Sequence, residues 1–172
     1  GYMYTDNGFW DTFRAVHPLF TLLYPEVSER VTQSILNAYD ESGFMPEWAS
    51  PGHWECMIGN NSISLLTDAW MKGIRTICPE KALEAMIHQT EARHPGISSV
   101  GRDGFGYYDR LGYVPYPEVH EATAKTLEYA YADWCVARFA DSIGRKEIAD
   151  TYYRKALNYR NLYYPDYGFM WA

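Results

Sequence analysis

Two side chains that can grip a sugar lie three residues apart near the start of the chain. In Trp10-Asp11-Thr12-Phe13-Arg14, a helix would bring the Asp11 carboxylate and the Arg14 guanidinium onto one face. A carboxylate accepts hydrogen bonds and a guanidinium donates them, so the pair can hold two neighbouring hydroxyl groups beside the Trp10 ring. The competing interpretation is an ordinary ion pair on a solvated helix face.

A second group of candidates lies in the segment 47–61, which leads into a helix N-terminus. It contains two tryptophans, a histidine and two glutamates, and His53, Trp54 and Glu55 are consecutive. Aromatic rings and carboxylates on a loop suit a carbohydrate site. Alternatively, Trp48 and Trp54 anchor the loop to the core and His53 is a packed ring.

A third group, Glu121, Lys125 and Glu128, follows helical spacing. Lys125 can pair with either glutamate, which would make the group structural. Glu128 lies among apolar residues, however, and a buried carboxylate needs a partner or a raised pKa. Glu128 is therefore the acid of this chain that best suits a role in a site.

Asp11, Glu55 and Glu128 are also the candidates for a complete glycosidase pair. Hydrolysis of a glycosidic bond uses two carboxyl groups about 5 to 10 Å apart. The sequence gives no distances between these acids, so it does not decide whether two of them form such a pair.

Hydrophobic periodicity and the positions of proline and glycine predict six helices and no convincing strand. Pro18 should kink or divide the first helix, and Pro25 and Gly43 mark the start and the end of the second. Six successive helices indicate an all-α fold of helical hairpins. The connections at about 44–59 and 94–117 are long and rich in aromatic residues, which is typical of functional loops. The predicted helices cover 9–23, 25–43, 60–73, 79–93, about 119–140 and 148–162.

The third and fifth helices carry more detailed predictions. Asn60-Asn61-Ser62 is suited to cap the third. The fifth has the strongest pattern, because Leu127, Tyr131, Trp134 and Phe139 lie on or near one apolar stripe.

Composition restricts the class of function. Aromatic residues make up 17% of the 172 residues, which suits either a thick helical core or a site where rings stack on sugars. The net charge of −7 argues against a nucleic-acid surface. No run of about 18 apolar residues could span a membrane. The three cysteines show no paired spacing, so neither a disulfide framework nor a zinc site is expected.

Four segments, taken together and in order, resemble glycoside hydrolase family 92 over nearly the whole chain. The first is similar to the family's WDTFRA-x-HPL segment, although a WDTFR run alone would be a weak signal. The segments are WDTFRAVHPL at 10–19, CMIG at 56–59, KTLEYAYADWC at 125–135, and YRNLY at 159–163 with GFM at 168–170.

The resemblance implies part of a bacterial exo-acting α-mannosidase that cuts α-linked mannose, often α-1,2-linked, from mannan or N-glycans. Such enzymes join an N-terminal β-sandwich to an (α/α)6 barrel, invert the anomeric carbon and use a calcium ion that grips mannose hydroxyls. By this resemblance, Asp11 and Arg14 help bind mannose in the −1 subsite. It also implies a periplasmic, secreted or cell-surface enzyme whose partner is a mannose-containing oligosaccharide.

The chain departs from the family pattern because it contains no GNEDCGQ-like and no NEPxHH-like run. The catalytic acid, the catalytic base and the calcium-binding residues are therefore expected downstream of this segment. We expect residues 1–172 to be a single all-helical fragment, about half of an (α/α)6 barrel, without the β-sandwich and the C-terminal half. Such a fragment would bind no calcium and be inactive alone, and its apolar edge could allow copies to associate.

Two other interpretations stay open. The chain could be a complete small helical-barrel glycosidase or lyase that uses acids such as Glu55 and Glu128. It could also be a non-catalytic helical interaction domain whose tryptophan-rich loop contacts another protein.

Overall fold

Eight α-helices, one 3₁₀ helix and two small sheets make up the chain in the computed structural model, which describes residues 1–172. The predicted all-α class is confirmed, and the helices form part of an α/α barrel. Strand β1 pairs antiparallel with β2, and β3 with β4. The elements in order are β1 Asn7–Gly8, α1 Phe9–Thr12, α2 Val16–Leu23, α3 Pro25–Ser42, β2 Trp48–Ala49, α4 Asn61–Met71, α5 Pro79–Glu91, α6 Phe105–Leu111, α7 Ala122–Ser142, α8 Lys146–Lys155, the 3₁₀ helix Asn158–Leu162, β3 Tyr163–Tyr164 and β4 Phe169–Met170.

Helices α3 and α5 begin at the prolines that predicted them. Pro25 and Pro79 occupy the first helical position, where the missing N–H of proline breaks no helical hydrogen bond. Gly43 ends α3 in the left-handed conformation at φ 80°, and its N–H bonds to the Tyr39 carbonyl. These predicted boundaries are confirmed.

The first predicted helix is divided, but not at Pro18. The break lies at residues 13–15, between α1 and α2. Pro18 instead falls in the first turn of α2, where it is tolerated. Arg14 therefore lies beyond the end of α1, in the turn that joins the two helices.

The N-terminus of α4 is capped by a side chain that is distant in the sequence. The predicted cap residue Asn60 makes no side-chain hydrogen bond to the helix. Instead, the oxygens of the buried Glu47 carboxyl group accept hydrogen bonds from the backbone N–H groups of Asn61 at 2.7 Å and Ser62 at 3.2 Å, and from the Ser62 hydroxyl at 2.8 Å. Gln89 of α5 donates to the same carboxyl group at 3.1 Å. Glu47 thus ties the first long loop to two helices.

Helix α7 is at the centre of the fold and packs against α8, α4 and α5. The buried side of α7 carries small residues together with Val136 and Phe139, which join the main core cluster. Alanines at 132, 137 and 140 let neighbouring helices approach closely. The core is therefore built around one helix that is buried along most of its length.

The predicted apolar stripe of the fifth helix is only partly internal. Phe139 is fully buried, whereas Leu127, Tyr131 and Trp134 are 37%, 40% and 46% exposed. These three residues follow one another at four- and three-residue spacing, so they form a continuous face of α7. Helical periodicity identifies such a face but does not say whether a neighbour covers it.

The second long loop is joined to α7 by a buried ion pair. Arg102 Nη2 lies 2.8 Å from Asp133 Oδ1, and both side chains are inaccessible to solvent. Arg102 also donates from Nε to Asn60 Oδ1 at 2.8 Å, and Tyr108 donates its hydroxyl to Asp133 Oδ2 at 2.7 Å. Tyr108 belongs to α6, a helix that the sequence pattern did not predict. The network holds both long loops against α7.

Candidate functional site

Arg14 lies between two aromatic rings at the turn after α1. Its guanidinium carbon is 4.6 Å from the centroid of the Trp10 ring and 4.6 Å from that of the Phe13 ring. An arginine stacks readily on aromatic faces because its planar cation is weakly hydrated. The Arg14 side chain is still 51% exposed, so part of its hydrogen-bonding fork is open to a ligand.

Glu128 approaches this group from α7. Its Oε1 lies 3.9 Å from Arg14 Nη2, and its side chain is only 20% exposed. Burial raises the pKa of Glu128, while the neighbouring Arg14 charge opposes that rise. The prediction that Glu128 needs a partner is met by Arg14 of the first motif.

The first long loop lies against the Glu128 carboxylate through Gly59. A Cβ at this position would lie 3.1 Å from Glu128 Oε2, which is tighter than ordinary contact. Gly59 also has φ +95°, a conformation that other residues rarely adopt. The glycine of the CMIG segment is therefore suited to this close approach.

Asp11 lies on α1 and is exposed. The predicted shared helix face with Arg14 does not occur, because α1 ends at Thr12. The alternative of an ordinary ion pair between the two is also wrong, since Arg14 pairs with Glu128. The Asp11 carboxylate has no hydrogen-bond or ion-pair partner within the chain, so it can accept hydrogen bonds from a ligand.

The three loop candidates have different surroundings. His53 Nε2 lies 2.8 Å from Ser42 Oγ, and its ring packs 5.5 Å from that of His94. Burial and the neighbouring His94 lower the pKa of His53. Trp54 is 57% exposed, so it does not anchor the loop in the core as the alternative interpretation required. Glu55 accepts a hydrogen bond from Ser98 of the second long loop.

Glu55 lines a cleft of about 570 Å³ between the two long loops. The cleft also includes Asp103, Glu121 and Lys125. Lys125 Nζ pairs with Asp103 Oδ2 at 3.1 Å, so the predicted pairing of Lys125 with Glu121 or Glu128 is wrong. Of the predicted site residues, the structure brings together Trp10, Arg14 and Glu128, while Glu55 has partners of its own.

Sequence reasoning included Phe13 and Glu47 in its candidate segments but did not predict the role of either. Phe13 forms the second ring around Arg14, and its position beside Arg14 in the motif was the available signal. Glu47 fixes the backbone that leads into α1 as well, because its carbonyl accepts the Phe9 N–H at 3.1 Å. No local signal identifies the capping role of Glu47, because its side-chain partners are 14, 15 and 42 residues away.

Comparison with known proteins decides the family. The sequence profile of the "Glycosyl hydrolase family 92 catalytic domain" matches residues 1–172. This chain belongs to glycosyl hydrolase family 92. The resemblance found in the sequence motifs is thereby confirmed.

Solved family 92 structures share the fold described above. An inverting mannosidase of the family from Bacteroides thetaiotaomicron is 83% identical and superposes with a TM-score of 0.99 over 100% of this chain, which covers 23% of that protein. A family 92 α-mannosidase from the same organism, solved in complex with mannoimidazole, is 34% identical, with a TM-score of 0.85 over 94% of this chain and 21% of its own. An "Uncharacterized secreted glycosidase" of Arthroderma benhamiae is 26% identical over 77% of this chain and 18% of its own length. The chain thus spans less than a quarter of the length of these relatives.

The calcium ion that family 92 resemblance implies requires several oxygen ligands, usually six to eight. No group of three or more His, Cys, Asp or Glu side chains in this chain could hold a metal ion. None of the helices combines the length and the apolar character needed to cross a bilayer.

Proposed function

We propose that this chain is part of an α-mannosidase that hydrolyses terminal α-linked mannose, and that it supplies one wall of the mannose-binding site. Asp11 and Arg14 would hold neighbouring hydroxyl groups, with Trp10 as the adjoining ring. The observation that carries the proposal is the Arg14 guanidinium, fixed between two rings yet half exposed. An unpaired exposed carboxylate, that of Asp11, lies on the preceding helix.

The chemistry of a pyranose suits this arrangement. Adjacent hydroxyl groups can accept hydrogen bonds from a guanidinium and donate them to a carboxylate. An indole ring offers an apolar face to the C–H groups of the sugar. Trp54 and Glu55 are further candidates for sugar contacts, because Trp54 is largely exposed and Glu55 lines the cleft between the loops. His53 packs at the base of the same loop and would support it.

The finer specificity is also a proposal. Inversion is supported by the description of one relative as an inverting mannosidase, whereas the α-1,2 linkage is what the resemblance of the sequence motifs implies. The acid, the base and the calcium ligands would come from other parts of the longer enzyme. An enzyme outside the cytoplasm is supported by the description of the Arthroderma relative as secreted.

An assay of the full-length enzyme on α-1,2-mannobiose tests the proposal. We expect Asp11→Asn to raise KM about tenfold without lowering the melting temperature, because Asp11 has no partner within the chain. Asp150→Asn, which changes an exposed aspartate on α8, is the matched control and should leave KM unchanged.

The 172-residue chain should show no turnover, with or without added calcium. Turnover by the isolated chain would show that the catalytic pair lies within it. A full-length Asp11→Asn enzyme with unchanged KM would exclude Asp11 from the sugar site.

A further inference from the structure

Arg14 and Glu128 come from opposite parts of the chain and meet beside the exposed first motif. We propose that Glu128 is a positioning residue: it orients the Arg14 guanidinium for the sugar and does not itself contact the sugar. This inference rests on the proposed function. The inference goes beyond the proposed function because it separates the residue that binds the sugar, Arg14, from the residue that holds Arg14 in place, Glu128.

Glu128 is less exposed to solvent than Arg14, as a positioning role for Glu128 requires. The Glu128 side chain is 20% exposed, whereas that of Arg14 is 51% exposed. A ligand approaching from solvent therefore reaches the guanidinium more easily than the carboxylate. Gly59 covers the second carboxylate oxygen, since a Cβ there would lie 3.1 Å from Oε2.

The one charged contact of Glu128 is directed at Arg14. Its Oε1 is 3.9 Å from Arg14 Nη2, an ion pair that is longer than a hydrogen bond. Trp10 in turn stacks on the Arg14 guanidinium at 4.6 Å. The half-buried acid therefore lies beside a cation that is already stacked on aromatic rings.

Stacking on two rings does not by itself fix the direction in which the edge of the guanidinium points. The negative charge of Glu128 beside Nη2 favours the side-chain conformation in which this edge faces α7 and the other N–H groups stay available to a ligand. Fixing a binding group before the ligand arrives reduces the entropy lost on binding. Loss of Glu128 should therefore weaken mannose binding through Arg14.

A double-mutant cycle in the full-length enzyme tests this role, with the dissociation constant for mannoimidazole as the readout. We expect Arg14→Lys to weaken binding about tenfold and Glu128→Gln about three- to tenfold. The double variant should bind about as weakly as Arg14→Lys alone, because Glu128 acts through Arg14. If the fold-changes in the dissociation constant of the two single variants multiply in the double variant, Glu128 acts independently of Arg14, and the proposal is overturned.

Glu80→Gln is the matched control for the change at Glu128. Glu80 Oε1 lies 3.8 Å from Arg145 Nη2, an exposed pair of the same chemistry on α5 and at the start of α8. This variant should bind mannoimidazole as the unaltered enzyme does. Equal weakening by Glu80→Gln and Glu128→Gln would also overturn the positioning role.

Crystal structures of the ligand-free Glu128→Gln enzyme and of the unaltered enzyme separate failure of this inference from failure of the proposed function. If the unaltered enzyme does not bind mannoimidazole, the proposed function fails. The positioning role is then decided by these structures alone. A displaced or disordered Arg14 guanidinium in the variant supports it, and an unchanged one overturns it.

Discussion

Arg14 shows how a single residue becomes a binding group through its neighbours. An exposed arginine loses much side-chain entropy when it is ordered. Here two rings and one carboxylate restrict it before any ligand binds. The sequence places Trp10, Phe13 and Arg14 close together, but only Glu128 decides the direction in which the guanidinium points.

His17 provides a pH-dependent contribution to stability at the same end of the chain. It is buried against Phe9 and Phe20, and Asn7 Nδ2 lies 3.3 Å from its Nε2. Burial lowers the pKa of His17 to about 4 from its ordinary value of 6.5. Between pH 6.5 and pH 4 the unfolded chain therefore binds more protons, so stability falls as pH falls through this window.

We expect protonation of His17 in the unfolded chain to lower the free energy of unfolding by about 1 to 2 kcal/mol between pH 7 and pH 5. Urea titrations of the chain at both pH values measure the loss. His17→Phe keeps the ring packing and should reduce the pH dependence, whereas His120→Phe, which removes an exposed histidine, should not. An identical loss in the unaltered chain and in His17→Phe would assign the effect to other groups.

At the scale of elements, the two long loops are ordered by buried polar groups and not by regular structure. Glu47 joins the first loop to α4 and α5, and burial raises the pKa of its carboxyl to about 8 against the opposing effect of its hydrogen bonds. Arg102 joins the second loop to Asp133 of α7. Buried polar groups of this kind are costly unless every partner is present.

Removing one partner of the buried pair should therefore destabilise the chain strongly. We expect Asp133→Asn to cost about 3 to 5 kcal/mol of unfolding free energy, because the Arg102 charge stays buried without its counter-ion. Urea unfolding of the chain measures the change. Glu80→Gln breaks an exposed pair and should cost less than about 1 kcal/mol. Equal losses in the two variants would contradict a special role for burial.

At the scale of the whole molecule, the chain exposes an apolar face. A hollow of about 370 Å³ next to α7 is lined only by hydrophobic residues. Leu127, Tyr131 and Trp134 form its α7 side, and Leu157 and Tyr159 lie across from them. In relatives of which this chain spans less than a quarter, other segments are available to cover such a face.

We expect the isolated chain to self-associate through this face at micromolar concentration or above, since large exposed apolar patches drive association. Sedimentation velocity over a concentration series measures the effect. Trp134→Lys should shift the chain toward monomer, whereas Tyr116→Lys, which changes a highly exposed ring in the second long loop, should not. A monomer at every concentration would show that the exposed face does not associate with itself.

The sequence by itself determined the helical class, most helix boundaries and the family. Pro25, Pro79 and Gly43 act on their own backbone angles, so their effects can be predicted locally. The family motifs are likewise contiguous runs of residues. Short-range steric and hydrogen-bonding preferences are sufficient for the helix boundaries, and the match of contiguous motifs is sufficient for the family.

Only the tertiary structure decided how the site is held together. The Arg14–Glu128 contact, the capping of α4 by Glu47 and the exposure of Trp134 each depend on which distant elements pack together. Helical periodicity places Trp134 on an apolar face but cannot say what covers that face. Side chains far apart in the sequence acquire partners only when the helices pack, and for that reason the local pattern suggested an Asp11–Arg14 pair where the folded chain forms Arg14–Glu128.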